Sequence, residues 1–171
     1  CDTFTTPTSV LTDTTTPAIG DDVVSSTFAL PFAFRHFGTQ VTHYSVSSNG
    51  FLQLFTSSAG VGDAASSNQS IPSMGDPEGI VAPFWDDLVN APTTQVRAET
   101  FGAAGSRRWV LEWADSTFYQ SGGGSPERLT FQLHAVEGTN IIEFHYCNLA
   151  ANGSTNARLN GSSASLDRKS V

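Results

Sequence analysis

Two adjacent carboxylates, Asp86 and Asp87, follow a short apolar run that ends in a tryptophan, IVAPFWDDL over residues 80–88. Paired carboxylates can act as an acid–base pair, bind a divalent cation, or form the turn that ends a buried strand. Neighbouring side chains in a strand point to opposite faces, so a catalytic pair requires the chain to turn at Asp86. The simplest interpretation is that one carboxylate caps the turn by accepting backbone N–H groups.

Calcium binding is the second interpretation, because calcium binds carboxylate and carbonyl oxygens. The polar stretch before the apolar run carries further acids, and we expect Asp76, Asp86 and Asp87 to be ligands, with Asp63 and Glu78 as additional donors. Catalysis is the third interpretation. No third group is visibly placed to tune one of the two carboxylates, so the sequence favours the first two.

The histidines offer a second possible metal site. His134 and His145 fall on adjacent strands of a predicted hairpin, on its polar face, where they approach each other diagonally. With Glu143 nearby, two imidazoles can hold a transition metal. The simpler interpretation, which the sequence favours, is that all four histidines, including His36 and His43, are ordinary exposed residues.

Motifs of catalysis give no positive case for an enzyme. A serine hydrolase of the G-x-S-x-G type needs its serine on a strand-to-helix elbow, whereas Ser125 in SGGGSPE lies in a glycine-rich turn between strands. The chain also contains no P-loop, dinucleotide fingerprint or H-E-x-x-H motif. We therefore expect no enzymatic activity and no obligatory cofactor.

Aromatic residues suggest a binding surface. Trp109 and Trp113 are each two residues from Leu111 and so lie on the same face of the predicted strand, which predicts that they belong to the core. Tyr119, beside the glycine-rich turn, and Trp85 are our candidates for ligand contact, through stacking on a sugar or contact with a partner protein.

The elements that position these residues are short strands. Phe28, Leu30, Phe32 and Phe34 alternate in TFALPFAF, as expected for a half-buried strand. In VTHYSVSSNGFLQLF the dipeptide Asn49-Gly50 is typical of a tight hairpin turn. IVAPFW predicts a short buried strand, and residues 56–79 form a loop that is long for a compact domain.

The last predicted hairpin, RLTFQLHAV and NIIEFHYCNL, determines its own register through a turn centred on Gly138-Thr139. The predicted pairs are Phe131–Tyr146, Leu133–Phe144 and Ala135–Ile142 on one face, and Gln132–His145 and His134–Glu143 on the other. One face is apolar and the other polar, as a half-buried antiparallel pair requires.

These elements predict an all-β fold, an antiparallel β-sandwich (jelly-roll-like) with eight to ten strands and a long loop. We expect residues 1–25 to form an extended Thr-rich N-terminal arm and residues 26–171 to form a single domain, with a final strand near Ala164 to Leu166. No stretch shows the apolar period of a helix.

Charge excludes one class of partner. The 171 residues carry a net charge of −8, and their eight Lys and Arg form no basic stripe for nucleic acid. No apolar run reaches the roughly 20 residues that a membrane-spanning helix needs. We expect a protein or glycan partner at the cell surface, or further copies of the chain.

The two cysteines, Cys1 and Cys147, are consistent with one disulfide formed in an oxidising compartment. Two free thiols are one alternative, and a lipid-modified Cys1 of a bacterial lipoprotein is another. Because the chain starts at Cys1 and lacks an initiator Met, we expect it to be processed, as after removal of a signal peptide.

Five motifs then occur in a fixed order: LPFAFRHFG, VSSNGFLQL, IVAPFWDDL, RRWVLEW and LTFQLHAVEGTNIIEFHY. In this order they resemble the NIDO-type extracellular domain of nidogen and the plexin-domain-containing receptors, also found in secreted surface proteins of bacteria such as myxobacteria. The resemblance covers residues 26–149. It implies a secreted or surface-displayed, non-catalytic β module with a role in adhesion, and it supplies no general ligand site.

Self-assembly is the alternative function. An extended arm such as residues 1–22 can add a strand to the sheet edge of a neighbouring molecule. The chain would then be a structural subunit of an extracellular filament or surface layer.

Overall fold

The computed structural model describes residues 1–11, 20–71, 78–90, 95–120, 123–124, 126–150 and 157–160. Within these residues the chain forms twelve strands and one 3-10 turn, Ala157–Asn160. No helix in this part of the chain is long and apolar enough to cross a membrane. The strands are β1 (Thr8–Leu11), β2 (Gly20–Asp21), β3 (Phe28–His36), β4 (Thr39–Ser47), β5 (Phe51–Phe55), β6 (Ile80–Val81), β7 (Leu88–Asn90), β8 (Gln95–Phe101), β9 (Arg108–Gln120), β10 (Gly123–Gly124), β11 (Arg128–Val136) and β12 (Ile141–Ala150).

A four-stranded antiparallel sheet, the small sheet, follows the chain in the order β3-β4-β5-β6. In β3, Phe32 and Phe34 are buried and Ala33 between them is exposed, which confirms the predicted alternation. The register of β3 against β4 shifts between Ala29 and Phe34, in the segment that contains Pro31. Proline has no N–H for a ladder, and β3 is an edge strand, where proline is tolerated.

The large sheet has eight strands, with the order β1-β8-β9-β11-β12 along its main path. β9 is thirteen residues long and serves two sets of neighbours. Its first part pairs with β8 and β11, and its last part pairs with β7 and β10, while β2 extends β7. β9 therefore connects the main sheet to the region of Asp21 and Asp87.

The predicted register of the last hairpin is confirmed. All five predicted pairs, from Phe131–Tyr146 to Ala135–Ile142, are neighbours in the β11–β12 ladder. The turn between the strands needs left-handed backbone at Gly138 (φ 80°) and Asn140 (φ 57°), two residue types that tolerate it.

The core lies between the two sheets, which confirms the β-sandwich. Trp109 and Trp113 of the large sheet are 3% and 0% exposed, as their parity with Leu111 predicts. The Trp109 ring lies 4.6 Å from that of Tyr44 in the small sheet, and Trp113 stacks on Phe131 at 5.1 Å. Apolar side chains from both sheets thus fill the interior.

Two expectations about elements differ from the structure. The strand predicted over IVAPFW is only two residues long, because Pro83 has no N–H and the N–H of Phe84 donates to Gly50 O, 3.2 Å away. Among the described residues there are also more strands than predicted, since β2, β7 and β10 have two or three residues and are too short for a periodic signal. The final strand predicted near Ala164 lies outside the described residues.

Candidate functional site

Asp86 is a buried carboxylate, 4% exposed, at the point where the chain leaves the apolar run. Its Oδ1 accepts the backbone N–H of Asp87 at 2.8 Å and a bond from Arg158 Nη2 at 2.5 Å. The Arg158 guanidinium also lies 4.2 Å from the centre of the Phe118 ring, a cation–π distance. Asp86 thus caps the turn and joins it to the 3-10 turn near the end of the chain.

Asp87 points to different neighbours, Asp21 and Asp22. One carboxylate oxygen of each lies within 4.8 Å of the other two, and we call these three residues the acidic cluster. Burial and then repulsion from Asp22 raise the pKa of Asp21, and the same causes, followed by repulsion from Asp21, raise the pKa of Asp87. Three like charges this close favour a neutralising cation, and oxygen donors suit calcium.

The set of residues expected to bind calcium therefore changes. Asp87 lies in a group of three carboxylates, whereas Asp86 is engaged by Arg158, and Asp76 lies outside the described residues. Calcium binding stays a prediction, with Asp21 and Asp22 as donors that sequence reasoning missed. The signal was weak, since Asp21-Asp22 is far from Asp87 in the sequence and only β2–β7 pairing brings it there.

One buried amide holds this region together. Asn49 is 0% exposed, and its Nδ2 donates to Asp22 Oδ1 at 2.8 Å and to Ala64 O at 2.9 Å. Its Oδ1 accepts the backbone N–H of Leu88 at 2.9 Å. Sequence reasoning interpreted Asn49 only as a hairpin residue. Its second role depends on segments that are distant in the chain, so no local pattern could reveal it.

The two aromatic candidates for ligand contact lie in different environments. Trp85 is 1% exposed, its Nε1 donates to Ala65 O at 2.8 Å, and its ring packs 5.3 Å from Phe51. A ligand cannot reach this ring without opening the core. Tyr119 of β9 is 42% exposed, so ligand contact at Tyr119 stays a prediction.

The beginning of the chain crosses the outer face of the large sheet, the face opposite the core. Cys1 forms the predicted disulfide with Cys147 of β12, with Cα atoms 5.6 Å apart. Asp2 forms an ion pair with Arg108 of β9, and Phe4 meets Phe101 of β8 edge-on at 6.0 Å. We call residues 1–7 the strap. β1 follows it and pairs with β8, so residues 1–11 of the predicted arm are bound to their own sheet.

The strap covers a polar network on the outer face. Gln132 Nε2 donates to Asp2 O and to Glu112 Oε1, both at 2.8 Å, and Gln132 Oε1 accepts the Asp2 N–H at 2.9 Å. His134 Nε2 lies 2.9 Å from the same Oε1. Gln132 and His134 are 0% and 3% exposed, so the expectation that all histidines are exposed is wrong for His134. The strap, which no strand pattern predicts, buries them.

His134 and His145 meet as predicted, one on each strand. Their rings stack with centres 3.9 Å apart and planes at 14°. Burial and then the neighbouring His145 lower the pKa of His134 to about 4, with smaller effects from Asp2, Arg108 and Glu143. The imidazole of His134 is therefore neutral at pH 7.

A cleft of about 350 Å³ opens between the two sheets, beside the edge strands β1 and β3. Its lining residues are Thr6, Thr8, Val10, Phe28, Ala29, Pro31, Tyr44, Ala98, Glu99, Thr100 and Trp109. Burial raises the pKa of Glu99, but hydrogen bonds from Thr5 and Thr6 outweigh it and lower the pKa overall. Sequence reasoning missed this cleft, because it forms only where the two sheets meet.

Tyr44 lines this cleft and carries a hydroxyl group. The residue is 4% exposed, and burial raises the pKa of its hydroxyl, which stays protonated at neutral pH. Within the described part of the chain the hydroxyl makes no hydrogen bond, and it is not among the polar atoms that are sealed from solvent. Solvent therefore reaches this hydroxyl.

Two antiparallel sheets, a disulfide between the strap and β12, and an inter-sheet cleft define a disulfide-linked, all-β sandwich module. The chain belongs to the NIDO-related family, whose model matches residues 2–168. The expected resemblance is confirmed, but its expected limits at residues 26 and 149 are wrong, since the match includes most of the arm and the tail. No curated protein and no solved structure matches the chain. Family and disulfide are compatible with an extracellular location.

Proposed function

We propose that this chain is a non-catalytic extracellular adhesion or binding module, and that the inter-sheet cleft holds a hydroxyl-rich ligand such as a cell-surface glycan. The cleft is the observation that carries the proposal. Its volume of about 350 Å³ falls within the range of ligand sites in proteins. The NIDO-related family supports a module of this general kind.

The lining of the cleft favours a polar ligand over an apolar one. Thr8 and Thr100 contribute hydroxyls that can donate and accept, and Tyr44 adds a hydroxyl with no partner among the described residues. The Thr6 hydroxyl donates to Glu99 Oε1 at 3.2 Å and can still accept. Trp109 and Tyr44 are nearly buried, so a ligand meets their edges and the hydroxyls rather than a ring face. A sugar carries matching donors and acceptors around its ring.

Chemistry at the cleft supports binding without turnover. Glycoside hydrolysis normally takes two carboxylates on opposite sides of the bond. Among the described residues that line the cleft, Glu99 is the one carboxylate, and it already accepts hydrogen bonds from the backbone of Thr5 and Thr6. Its lowered pKa is the opposite of what a general acid at neutral pH needs.

The test is binding to a panel of immobilised glycans, with the cleft filled by mutation. Ala29 lines the cleft and is exposed, so Ala29→Trp should block it without disturbing the core. Ala104→Trp, in the exposed β8–β9 turn, is the matched control. We expect the native chain and the control to bind the same glycans, and Ala29→Trp to lose at least tenfold in affinity.

Two results would contradict this function. One is equal binding by Ala29→Trp and Ala104→Trp, which would place the ligand elsewhere. The other is the absence of binding to every glycan by the native chain. Turnover of a bound glycan would contradict the non-catalytic part of the proposal alone.

Self-assembly is a second candidate, favoured by the exposed edge of β12. In the described part of the chain β12 pairs with β11 alone, and Ile141, Tyr146 and Leu149 are 50%, 43% and 40% exposed. A long edge strand with exposed apolar residues is prone to pair with another chain. The strap and β1 contact their own sheet, so strand addition by the arm would require exchanging these contacts with a neighbour.

Electron microscopy of the chain and of Ile141→Lys separates this candidate from a monomeric binder. Filaments that disappear in Ile141→Lys would support assembly through β12. Filaments that persist there and disappear only when residues 1–22 are deleted would support the arm. A monomer under all conditions would contradict both forms of assembly.

A further inference from the structure

Three side chains outside the cleft place metal-binding atoms together on β11 and β12. His134 is directly opposite Glu143 in the ladder, and His145 lies two residues beyond Glu143 on the same face. One donor atom from each residue lies within 4.8 Å of the other two. Two nitrogens and one carboxylate oxygen suit zinc, copper or nickel better than calcium, which prefers oxygen alone.

The hydrogen bonds around Gln132 decide which nitrogen of His134 is free. The Asp2 backbone N–H can only donate, so the Gln132 atom 2.9 Å from it must be the amide oxygen. This oxygen also faces His134 Nε2 at 2.9 Å, and an oxygen acceptor requires Nε2 to carry the proton. The lone pair of His134 is therefore on Nδ1.

That lone pair has no partner in the described part of the chain. His134 is 3% exposed, its one hydrogen bond there uses Nε2, and Nδ1 is not among the polar atoms sealed from solvent. A metal-binding histidine typically donates its other N–H to a carbonyl or carboxylate oxygen, which fixes the ring. The bond from His134 to the Gln132 amide oxygen is of this kind.

Glu143 and His145 complete the set from the solvent side. Their side chains are 48% and 35% exposed, and His145 Nε2 lies 3.2 Å from Glu143 Oε2. Because the two imidazoles are stacked nearly parallel, their lone pairs do not converge, and binding requires the His145 ring to rotate. Its exposure allows this rotation, while Gln132 holds His134 in place.

We propose that His134, through Nδ1, together with Glu143 and His145 binds one divalent transition-metal ion, such as Zn²⁺ or Cu²⁺. The remaining coordination positions face solvent and are open to water or to a donor from a partner. The strap is part of the site, since Asp2 orients Gln132, and the Cys1–Cys147 disulfide ties the residue before Asp2 to β12, the strand of His145.

The test is isothermal titration of the untagged, disulfide-intact chain with Zn²⁺, and electron paramagnetic resonance with Cu²⁺. We expect one ion per chain and nitrogen coupling from two imidazoles. His145→Ala and Glu143→Gln alter exposed side chains and should fold, and each should weaken Zn²⁺ binding at least tenfold. His43→Ala, on the small sheet, is the matched control and should bind normally.

A second readout tests the tautomer directly. Long-range ¹H–¹⁵N NMR of the metal-free chain should show His134 protonated at Nε2. Protonation at Nδ1 would overturn the proposal, as would the absence of Zn²⁺ binding or equal affinity in His145→Ala and His43→Ala. Asp87→Asn should leave Zn²⁺ binding unchanged, and a tenfold loss there would move the ion to the acidic cluster and overturn the His134 site.

Discussion

Asp86 and Asp87 are adjacent and chemically identical, yet their surroundings give them different roles. Asp86 is buried, caps a turn and pairs with Arg158, whereas Asp87 joins two other carboxylates. Their separation follows from the turn at the end of the apolar run. A pair of carboxylates in a sequence thus becomes a chemical pair only if the backbone directs both side chains to the same neighbour.

Gly50 shows how closely the backbone is packed at this turn. A Cβ on Gly50 would lie 1.9 Å from Phe84 O, and φ is +79°. We expect Gly50→Ala to destabilise the fold by at least about 3 kcal/mol, since it combines overpacking with left-handed strain. Denaturation by urea would measure this loss.

Gly138→Ala is the matched control for Gly50→Ala. Gly138 has the same kind of backbone, φ +80°, but no atom lies within 4 Å of an added Cβ. Only the strain of left-handed backbone remains, about 1–2 kcal/mol. Equal losses in the two variants would show that contact with Phe84 does not matter.

At the scale of elements, the strap determines how the outer face of the large sheet behaves. The sequence pattern of β11 and β12 predicts that their polar face is exposed to solvent. Asp2 and Phe4 cover that face on β8, β9 and β11, and the disulfide anchors the strap to β12. Gln132 and His134 are buried as a result, and each finds a hydrogen-bond partner.

The disulfide that anchors the strap should contribute a large part of the free energy of unfolding. Cys1 and Cys147 are separated by 146 positions, and closing so long a loop contributes about 4–5 kcal/mol in the chain-entropy model. We expect the double variant Cys1→Ser/Cys147→Ser to lose this amount in chemical denaturation.

Reducing agent should lower the stability of the native chain and leave the double variant unchanged. A native chain indifferent to reduction would contradict the expected contribution of the disulfide.

Two hairpin turns are joined by one ion pair. Glu137, after β11, accepts from Arg107 Nη2 at 2.7 Å and Nε at 2.9 Å, and from the backbone N–H groups of Gly105 and Arg107. The side-chain and backbone hydrogen bonds from Arg107 come first among the causes that lower the pKa of Glu137 to about 2. The turn between β8 and β9 is thereby linked to that between β11 and β12.

This link should be sensitive to acid. Glu137 has a lower pKa in the folded chain than its ordinary value of 4.5, so the unfolded chain binds more protons between these values. Its contribution is complete above about pH 4.5 and is lost as the pH falls toward 2. We expect Glu137→Gln to flatten the stability profile in this window.

Thermal unfolding from pH 2 to 7 would measure the effect, with Glu78→Gln, at an exposed loop position, as the control. Because the pair is partly exposed, high salt should reduce the difference. Identical acid profiles for Glu137→Gln and the native chain would contradict the prediction.

At the scale of the whole molecule, two sheets meet with open edges. β1 and β3 border the cleft on one side, and β12 presents its edge and several apolar side chains elsewhere. The cleft, the acidic cluster, and the His134 region are built on different strands. The proposed sites for a glycan, calcium and a transition metal therefore share no strand, and each can be tested separately.

Calcium binding can be measured on the intact molecule. If the acidic cluster binds calcium, calcium at 100 times Kd should raise the free energy of unfolding by about 2.7 kcal/mol. The melting temperature should rise accordingly, and a chelator should reverse the rise. Asp87→Asn should remove this response, and Glu143→Gln, which alters an exposed carboxylate on β12, should retain it. The absence of any calcium response in the native chain would end the calcium prediction.

The sequence by itself determined the all-β class, the register of β11 and β12, the core parity of Trp109 and Trp113, and the disulfide partners. Each of these features follows from a local sequence pattern or from a small number of possible pairings. Alternation with period two and a tight turn determine register within one hairpin, and two cysteines allow one intramolecular pair.

Only the tertiary structure decided which distant groups meet. It brought Asp21 and Asp22 to Asp87, placed Asn49 between them and Leu88, and buried His134 under the strap. These contacts join segments far apart in the chain. The polar residues that form them belong to no alternating polar–apolar pattern in the sequence. Their positions are set by how strands of different hairpins pack, which local periodicity does not record.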